Sequence, residues 1–237
     1  MSFDFSILTA FWPLFARGLF ITIAASGLAL VFSLLFAVVV VLARIARNGI
    51  ASYAAIAFVE IMRDLPFMLV LFLVFYLLPA IGIRLPAFAI GVVTLSLYSA
   101  AYFSEIMRGA IQSVPKGQMD SARALGMSRI QALRYVIVPQ MMGYFLPPAT
   151  NQAVTVIKES SILSTITITE LTMAGEVVQG YTYSPIEAFA VVSLLYWVMC
   201  TGVARIGRAL ENILSRRHGH LSTDVPRSAV ELRGGLF

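Results

Sequence analysis

Asn151, Gln152, Thr155, Lys158 and Glu159 stand in an otherwise apolar stretch of the chain. Their offsets of 0, 1, 4, 7 and 8 share one face of an α-helix, and Ala153, Val154, Val156 and Ile157 occupy the others. Residues of these types hold a polar ligand. Lys158 can pair with a carboxylate, and Glu159 with an amino group or another cation. Adjacent helical positions point about 100° apart, so both charges need not reach one ligand. One can instead neutralise the other or pair across a subunit interface. Tyr102 and Glu105 add a hydroxyl and a carboxylate near the end of another apolar run. Glu105 and Arg108 are three residues apart and are expected to pair. No Ser/His/Asp or metal-ligand constellation accompanies these residues. His218 and His220 have no companion cysteines, the single Cys200 reads as packing, and Met68, Met141, Met142 and Met173 read as packing rather than a metal path.

The rest of the chain says what must carry this stripe. Of 237 residues, 59% are apolar and 12% are charged, and the mean hydropathy is +0.87. A soluble protein is about half apolar and a quarter charged. A secreted disulfide scaffold, an ordinary cytosolic enzyme and a disordered chain are thereby excluded. The chain reads as an all-α integral membrane protein with about five transmembrane helices. The uncharged runs are 18–43, 65–83, 85–104, 135–157 and 188–204, each 17 to 26 residues long. One membrane domain is expected over 1–215, with a polar tail at 216–237.

With the N-terminus outside and the C-terminus in the cytoplasm, 14 of the 17 basic residues fall inside. Arg17 and Arg84 fall outside, and Lys158 lies within a span. That is the positive-inside pattern, and it makes the net charge of +5 a topology signal rather than a nucleic-acid footprint. The first residues lack a basic region before the apolar run, so the first span is expected to stay as an anchor. Glu170 and Glu176 are expected on the outer face, as a solvated acidic loop or a surface for a soluble partner.

A charge at the bilayer centre costs at least about 2.5–3.5 kcal/mol, so the stripe must not face lipid. Three readings stay open: it lines a path, it is hydrogen-bonding glue worth about 0.6 kcal/mol per contact, or it reaches the outer interface. Counting the helical rise from Pro147 puts Lys158 near mid-membrane, and counting from Met141 moves it outward.

The longest polar stretch between spans, about 113–140, predicts two short helices with a sharp bend. Gly126 suits a left-handed helix stop. Ser128 and Gln131 have capping-box spacing. Pro139 fits the end of the second helix. Ser121, Ala122 and Ala124 are small and let another surface approach. The elbow is either an ordered cap on the bundle or a docking knob.

Asp120-Ser121-Ala122, then Gly126, then Val136, Val138 and Pro139 resemble the EAA motif of ABC-importer permeases. That pattern is Glu-Ala-Ala, a Gly four residues after the second Ala, then Ile, any residue, Leu and Pro. The chain keeps Ala122, Gly126 and Pro139 and departs mildly at the other positions. Arg63-Asp64-Leu65-Pro66 looks like the Arg-Gly-Thr-Pro segment of polar-amino-acid permeases of the histidine/glutamine type. Ala101 to Gly109 with Ile111 to Val114, Leu146 to Gln152, and Lys158-Glu159-Ser160-Ser161 are similar to further segments of that family. The resemblance covers roughly 15–215.

The resemblance implies a type I ABC importer fold in a bacterial inner membrane. It implies a second permease, identical or related, two ATP-binding subunits that hold ATP and Mg, and an extracytoplasmic amino-acid-binding protein. Apart from membrane lipid these are the expected partners; nucleic acid is not one. Gly117, Asp120, Ser121, Ala122, Gly126 and Pro139 would serve ATPase coupling. Asn151, Gln152, Thr155, Lys158, Glu159 and Tyr102 would line the substrate path. No cofactor is expected on this chain, since it has no Gly-x-x-x-x-Gly-Lys-Ser/Thr loop, and it is not expected to be an enzyme. The stripe suits acidic, basic and neutral amino acids alike. Two rivals stand beside this reading: an ion-driven carrier that uses Lys158 and Glu159 as a relay, and a non-transporting scaffold.

Overall fold

A computed structural model describes residues 6–45 and 49–218. Its elements in chain order are α1 (Ser6–Ile45), α2 (Gly49–Asp64), α3 (Phe67–Ala80), α4 (Ala87–Ser113), α5 (Lys116–Ala124), α6 (Arg129–Ala132), α7 (Val138–Glu159), α8 (Leu171–Thr182) and α9 (Pro185–His218). A π turn, Leu133–Ile137, joins α6 to α7, and a 3₁₀ turn, Ser160–Ile166, extends α7. No strand occurs among the described residues. Arg47, His220 and the tail from 219 onward lie outside them.

Within a bilayer the backbone must satisfy itself, and helices do this without partners. Three of these helices are long and apolar enough to cross a membrane, over Thr9–Arg44, Ala87–Ser113 and Pro185–Leu214. The expected second span corresponds to α3, which is short. Together α2 and α3 pass the same test, but they meet at a bend of 112°. Pro66 sits at that bend as the N-cap of α3, where its missing N–H costs nothing. The expected fourth span corresponds to α7, which its polar residues make less apolar.

The centre of the bundle is α4, with 67% of its most apolar window buried, against 17% for α9 at the edge. α1 packs along α4. Ala25, Ala29, Ser33 and Ala37 recur every four residues on α1, with Ser26 beside the first, and all five are buried. Small residues at this spacing let two backbones approach where lipid supplies no hydrophobic drive. Several buried hydroxyls bond back to their own helices: Ser26 to the Thr22 carbonyl at 2.6 Å, Thr94 to Ile90 at 2.8 Å and Ser96 to Val92 at 2.6 Å.

The crossing of α7 and α9 is tighter still. A Cβ on Gly207 would lie 2.2 Å from Thr150 Cγ2 and 2.4 Å from its Oγ1. Gly207→Val is therefore expected to separate α7 from α9 and to destabilise the fold by about 1–3 kcal/mol or more. The check is thermal unfolding in detergent beside Gly202→Val, whose added Cβ meets nothing within 4 Å. Equal midpoints for the two variants would contradict the close crossing.

Candidate functional site

The polar stripe arrives on α7. This helix does not begin afresh after the cytoplasmic elbow. α6 runs through the π turn straight into it, with Val138 N–H donating to the Leu133 carbonyl. Pro139 therefore lies in the first turn of α7 and not at the end of a separate helix, a correction to the expectation above. Proline cannot donate in an i→i−4 ladder, and a wider turn just before it accommodates the missing bond.

The structure divides the stripe. Gln152 and Glu159, seven residues apart, turn toward the interior and are half-buried, whereas Asn151 and Lys158 are exposed. Thr155 is half-buried and donates to the Asn151 carbonyl at 3.1 Å. Glu159 thus lies on the buried side of α7 and Lys158 on its exposed side. The two charges diverge, as their 100° separation requires.

Along the α4–α7 contact the polar atoms are incompletely matched. Among the described residues, the buried side-chain atoms without a hydrogen-bond partner are Gln152 Nε2, Glu159 Oε2 and Ser99 Oγ of α4. An unmatched buried polar atom costs about 1–3 kcal/mol. Natural cores avoid such atoms, so three of them on two facing helices mark a place suited to a polar ligand.

Tyr102 belongs to the same neighbourhood through Tyr98. The two hydroxyls lie 3.3 Å apart. Tyr98 donates to the Leu65 carbonyl at 3.3 Å, and Tyr102 to that of Arg63 at 3.5 Å. The Arg63 guanidinium lies 5.7 Å from the centre of the Tyr102 ring. The α2–α3 bend is thus tied to α4 beside Glu159. Tyr98 and Ser99 were not singled out from the sequence, and Arg63 was noted only within the Arg63-Asp64-Leu65-Pro66 segment; the i, i+4 spacing of the two tyrosines was the available signal.

Glu105 is engaged elsewhere. It forms ion pairs with Arg44 of α1 and with Arg108, the latter at 2.7 Å, and Arg108 also donates to Gln112 at 2.8 Å. The expected Glu105–Arg108 pair is present, and Arg44 joins it from a distant part of the chain.

The elbow between α4 and α7 has the local chemistry that the sequence predicted. Gly126 has φ +85°. Its N–H donates to the Arg123 carbonyl at 3.0 Å, and Met127 N–H donates to Ala122 at 3.1 Å, which is a Schellman stop. Ser128 and Gln131 form the capping box. Gly117, Asp120, Ser121, Gly126 and Pro139 are exposed. Ala122, in contrast, is 4% exposed and packs inside the elbow, so it shapes the surface rather than presenting itself on it. Leu125 and Ile130 are the large apolar side chains that the elbow displays.

Residues 29–216 match the family described as the binding-protein-dependent transport system inner membrane component. The chain belongs to this family. Such permeases pair with ATP-binding subunits, and the ion-driven carrier is without support.

Its relatives agree across nearly their full lengths. The permease is 31% identical to the probable amino-acid ABC transporter permease protein YckA of Bacillus subtilis, over 88% of this chain and 91% of that protein. It is 32% identical to the glutamine transport system permease protein GlnP of Escherichia coli, over 89% and 97% respectively. Among solved structures, an amino acid ABC transporter crystallised with histidines aligns with a TM-score of 0.83 and 32% identity, covering 90% of this chain and 99% of that one. An inward-facing MetNI methionine transporter shares the fold, with a TM-score of 0.73 and 20% identity over 85% and 96%.

One expected surface residue of the permease is not at the surface. Glu170 is fully buried and caps α8, accepting from the backbone N–H groups of Thr172 and Met173, each at 2.9 Å. Glu176 is exposed, as expected. No sequence pattern distinguished the two, because the Thr22 and Tyr196 hydroxyls that complete the surroundings of Glu170 lie on other helices.

Proposed function

We propose that this permease subunit carries a polar amino acid through the inner membrane, using the inward part of the α7 stripe as its path. The observation that carries this reading is the set of unmatched buried atoms at Ser99, Gln152 and Glu159. Together they offer a carboxylate for an ammonium and an amide N–H for a carboxylate. Tyr102 borders the path beside Tyr98, and Asn151, Thr155 and Lys158 extend it on the exposed side of α7. The named relatives include glutamine and amino-acid permeases, which supports an amino acid as the cargo.

The transporter contains a second permease, identical or paralogous, and two ATP-binding subunits on the cytoplasmic side. Those subunits hold ATP and Mg and perform hydrolysis, and this chain is not itself an enzyme and holds no cofactor. Gly117, Asp120, Ser121, Gly126 and Pro139, backed by Ala122, form the docking elbow. An extracytoplasmic binding protein delivers the amino acid. The N-terminus lies outside and the C-terminus in the cytoplasm, an orientation supported by the fourteen basic residues that it places on the cytoplasmic side. Residues 1–215 act as one permease domain.

Purification of the tagged chain in mild detergent from its native membrane, followed by mass spectrometry, tests the assembly. An ATP-binding subunit in stoichiometric yield is expected. A lone chain, under conditions that preserve other ABC complexes, would contradict the proposal. The orientation predicts that a protease added to sealed, right-side-out vesicles leaves a C-terminal tag intact and removes it only after the vesicles are opened. Cleavage in sealed vesicles would reverse the topology.

A further inference from the structure

α7 and α9 touch closely where Thr150 meets Gly207. One turn nearer the elbow, a cavity of about 580 Å³ opens between them. It is lined from α7 by residues between Gln140 and Pro147, and from α9 by residues between Glu211 and Leu214. That volume is typical of a small-molecule site. No residue of the polar stripe lines it.

The cavity is rich in acceptors. Pro147 and Pro148 have no N–H, so neither makes the bond that an α-helix sends back four residues. The carbonyls left without that bond belong to Gly143 and Tyr144, and both residues line the cavity. The space beside Gly143 is open: an added Cβ would meet nothing within 4 Å. Gln140 donates its amide N–H to Gln118 of α5 at 3.2 Å, which leaves its amide oxygen to offer the cavity.

Glu211 supplies the one charge among the described lining residues. It is half-buried. Among the described residues it forms no ion pair or hydrogen bond, although Arg208 lies one turn back on α9. A partly buried carboxylate without a counter-ion carries a desolvation cost that a bound cation offsets. Met142 and Leu146 add apolar surface. Acceptors mixed with apolar surface suit an ammonium attached to carbon, which has three donors and no acceptor, better than a bare metal ion or an anion.

We propose that this cavity binds a primary ammonium group, with Glu211 as its counter-ion and the Gly143 and Tyr144 carbonyls as further acceptors. The elbow end of the bundle lies at the inner face of the membrane, where two sources present that group. One is the ethanolamine headgroup of a phospholipid, and the other is a free amino compound in the cytoplasm. The inference rests on the elbow being at that face, and not on Glu159 or the cargo path.

The test uses the whole transporter in nanodiscs, which expose both faces, so its outcome does not depend on the orientation of the chain. Gly143→Cys in a Cys200→Ser background puts a thiol on the cavity wall. Its rate of reaction with a maleimide, read on this chain by mass spectrometry, reports occupancy. The rate is measured in discs of phosphatidylglycerol alone, in the same discs with millimolar ethanolamine, and in discs that contain phosphatidylethanolamine. Slowing of at least about fivefold is expected in one or both of the last two, and Glu211→Gln is expected to abolish it. Slowing by ethanolamine assigns a soluble source, and slowing by phosphatidylethanolamine alone assigns the lipid. Equal rates in all three overturn the site, as does slowing that survives Glu211→Gln.

Discussion

Glu159→Gln is expected to lower amino-acid uptake by about 10- to 100-fold while leaving the transporter assembled and no less stable than the parent. Charged hydrogen bonds are worth about 1.5–3 kcal/mol, which sets that range if the carboxylate holds an ammonium in transit. The stability half follows from the same geometry. Glu159 Oε2 is buried and has no partner in the protein, so removing its charge breaks nothing and relieves a desolvation cost. A residue whose loss harms function and spares or raises stability is the mark of a site kept for a ligand. Uptake and the thermal midpoint should be measured on the same preparation. Unchanged uptake would remove Glu159 from the path. A fall in the midpoint that matches the fall in uptake would reassign it to structure. Lys158→Ala is expected to lower uptake less than Glu159→Gln does, because this side chain is exposed and only extends the path beyond its buried part.

Gly126→Pro is expected to abolish coupling while the membrane helices still insert. Gly126 has φ +85°, whereas proline fixes φ near −65°. Its N–H donates to Arg123, and proline has none to give. Proline also disfavours the near-helical conformation of the residue before it, here Leu125 at φ −78° and ψ 7°. These losses together exceed about 3 kcal/mol at one turn. They fall on the exposed part of the elbow that displays Leu125 and Ile130, where a Cβ added at Gly126 meets nothing within 4 Å. The ATP-binding subunits are expected to retain hydrolysis, with uptake reduced at least about tenfold. Gly126→Ala, which keeps the N–H and costs roughly 1–2 kcal/mol in the left-handed region, is expected to fall between. Normal coupled transport by the proline variant would mean that the elbow's shape does not transmit motion.

Both predictions concern residues that were legible in the sequence, for different reasons. Gly126, Ser128 and Gln131 are local signals. A left-handed glycine and a capping box act over four or five residues, and the structure reproduces both. The stripe was legible through helical periodicity, which places residues on a face but does not say what that face meets. Pro139 shows the limit of a local rule, since the same proline fits the end of one helix or the first turn of the next. The π turn at Leu133–Ile137 decided between them by making α6 and α7 continuous. Ala122 was rightly seen as small. Its smallness serves packing within the elbow, and sequence spacing alone does not separate that from exposure.

The sequence by itself determined that the chain is a helical membrane protein, because composition and run length act without regard to fold. It also determined the basic asymmetry of the loops, the elbow's turns and the period of the stripe. Tertiary structure alone decided which polar groups meet. It brought Arg44 to Glu105 across 61 residues and Thr22 to Glu170 across 148. It half-buried Glu159 and left Lys158 exposed. It buried Glu170 and left Glu176 exposed. The reason is one of range: turns, caps and hydropathy are set by neighbours along the chain, whereas the partner of a charge is set by whichever helix the packing of apolar faces brings beside it.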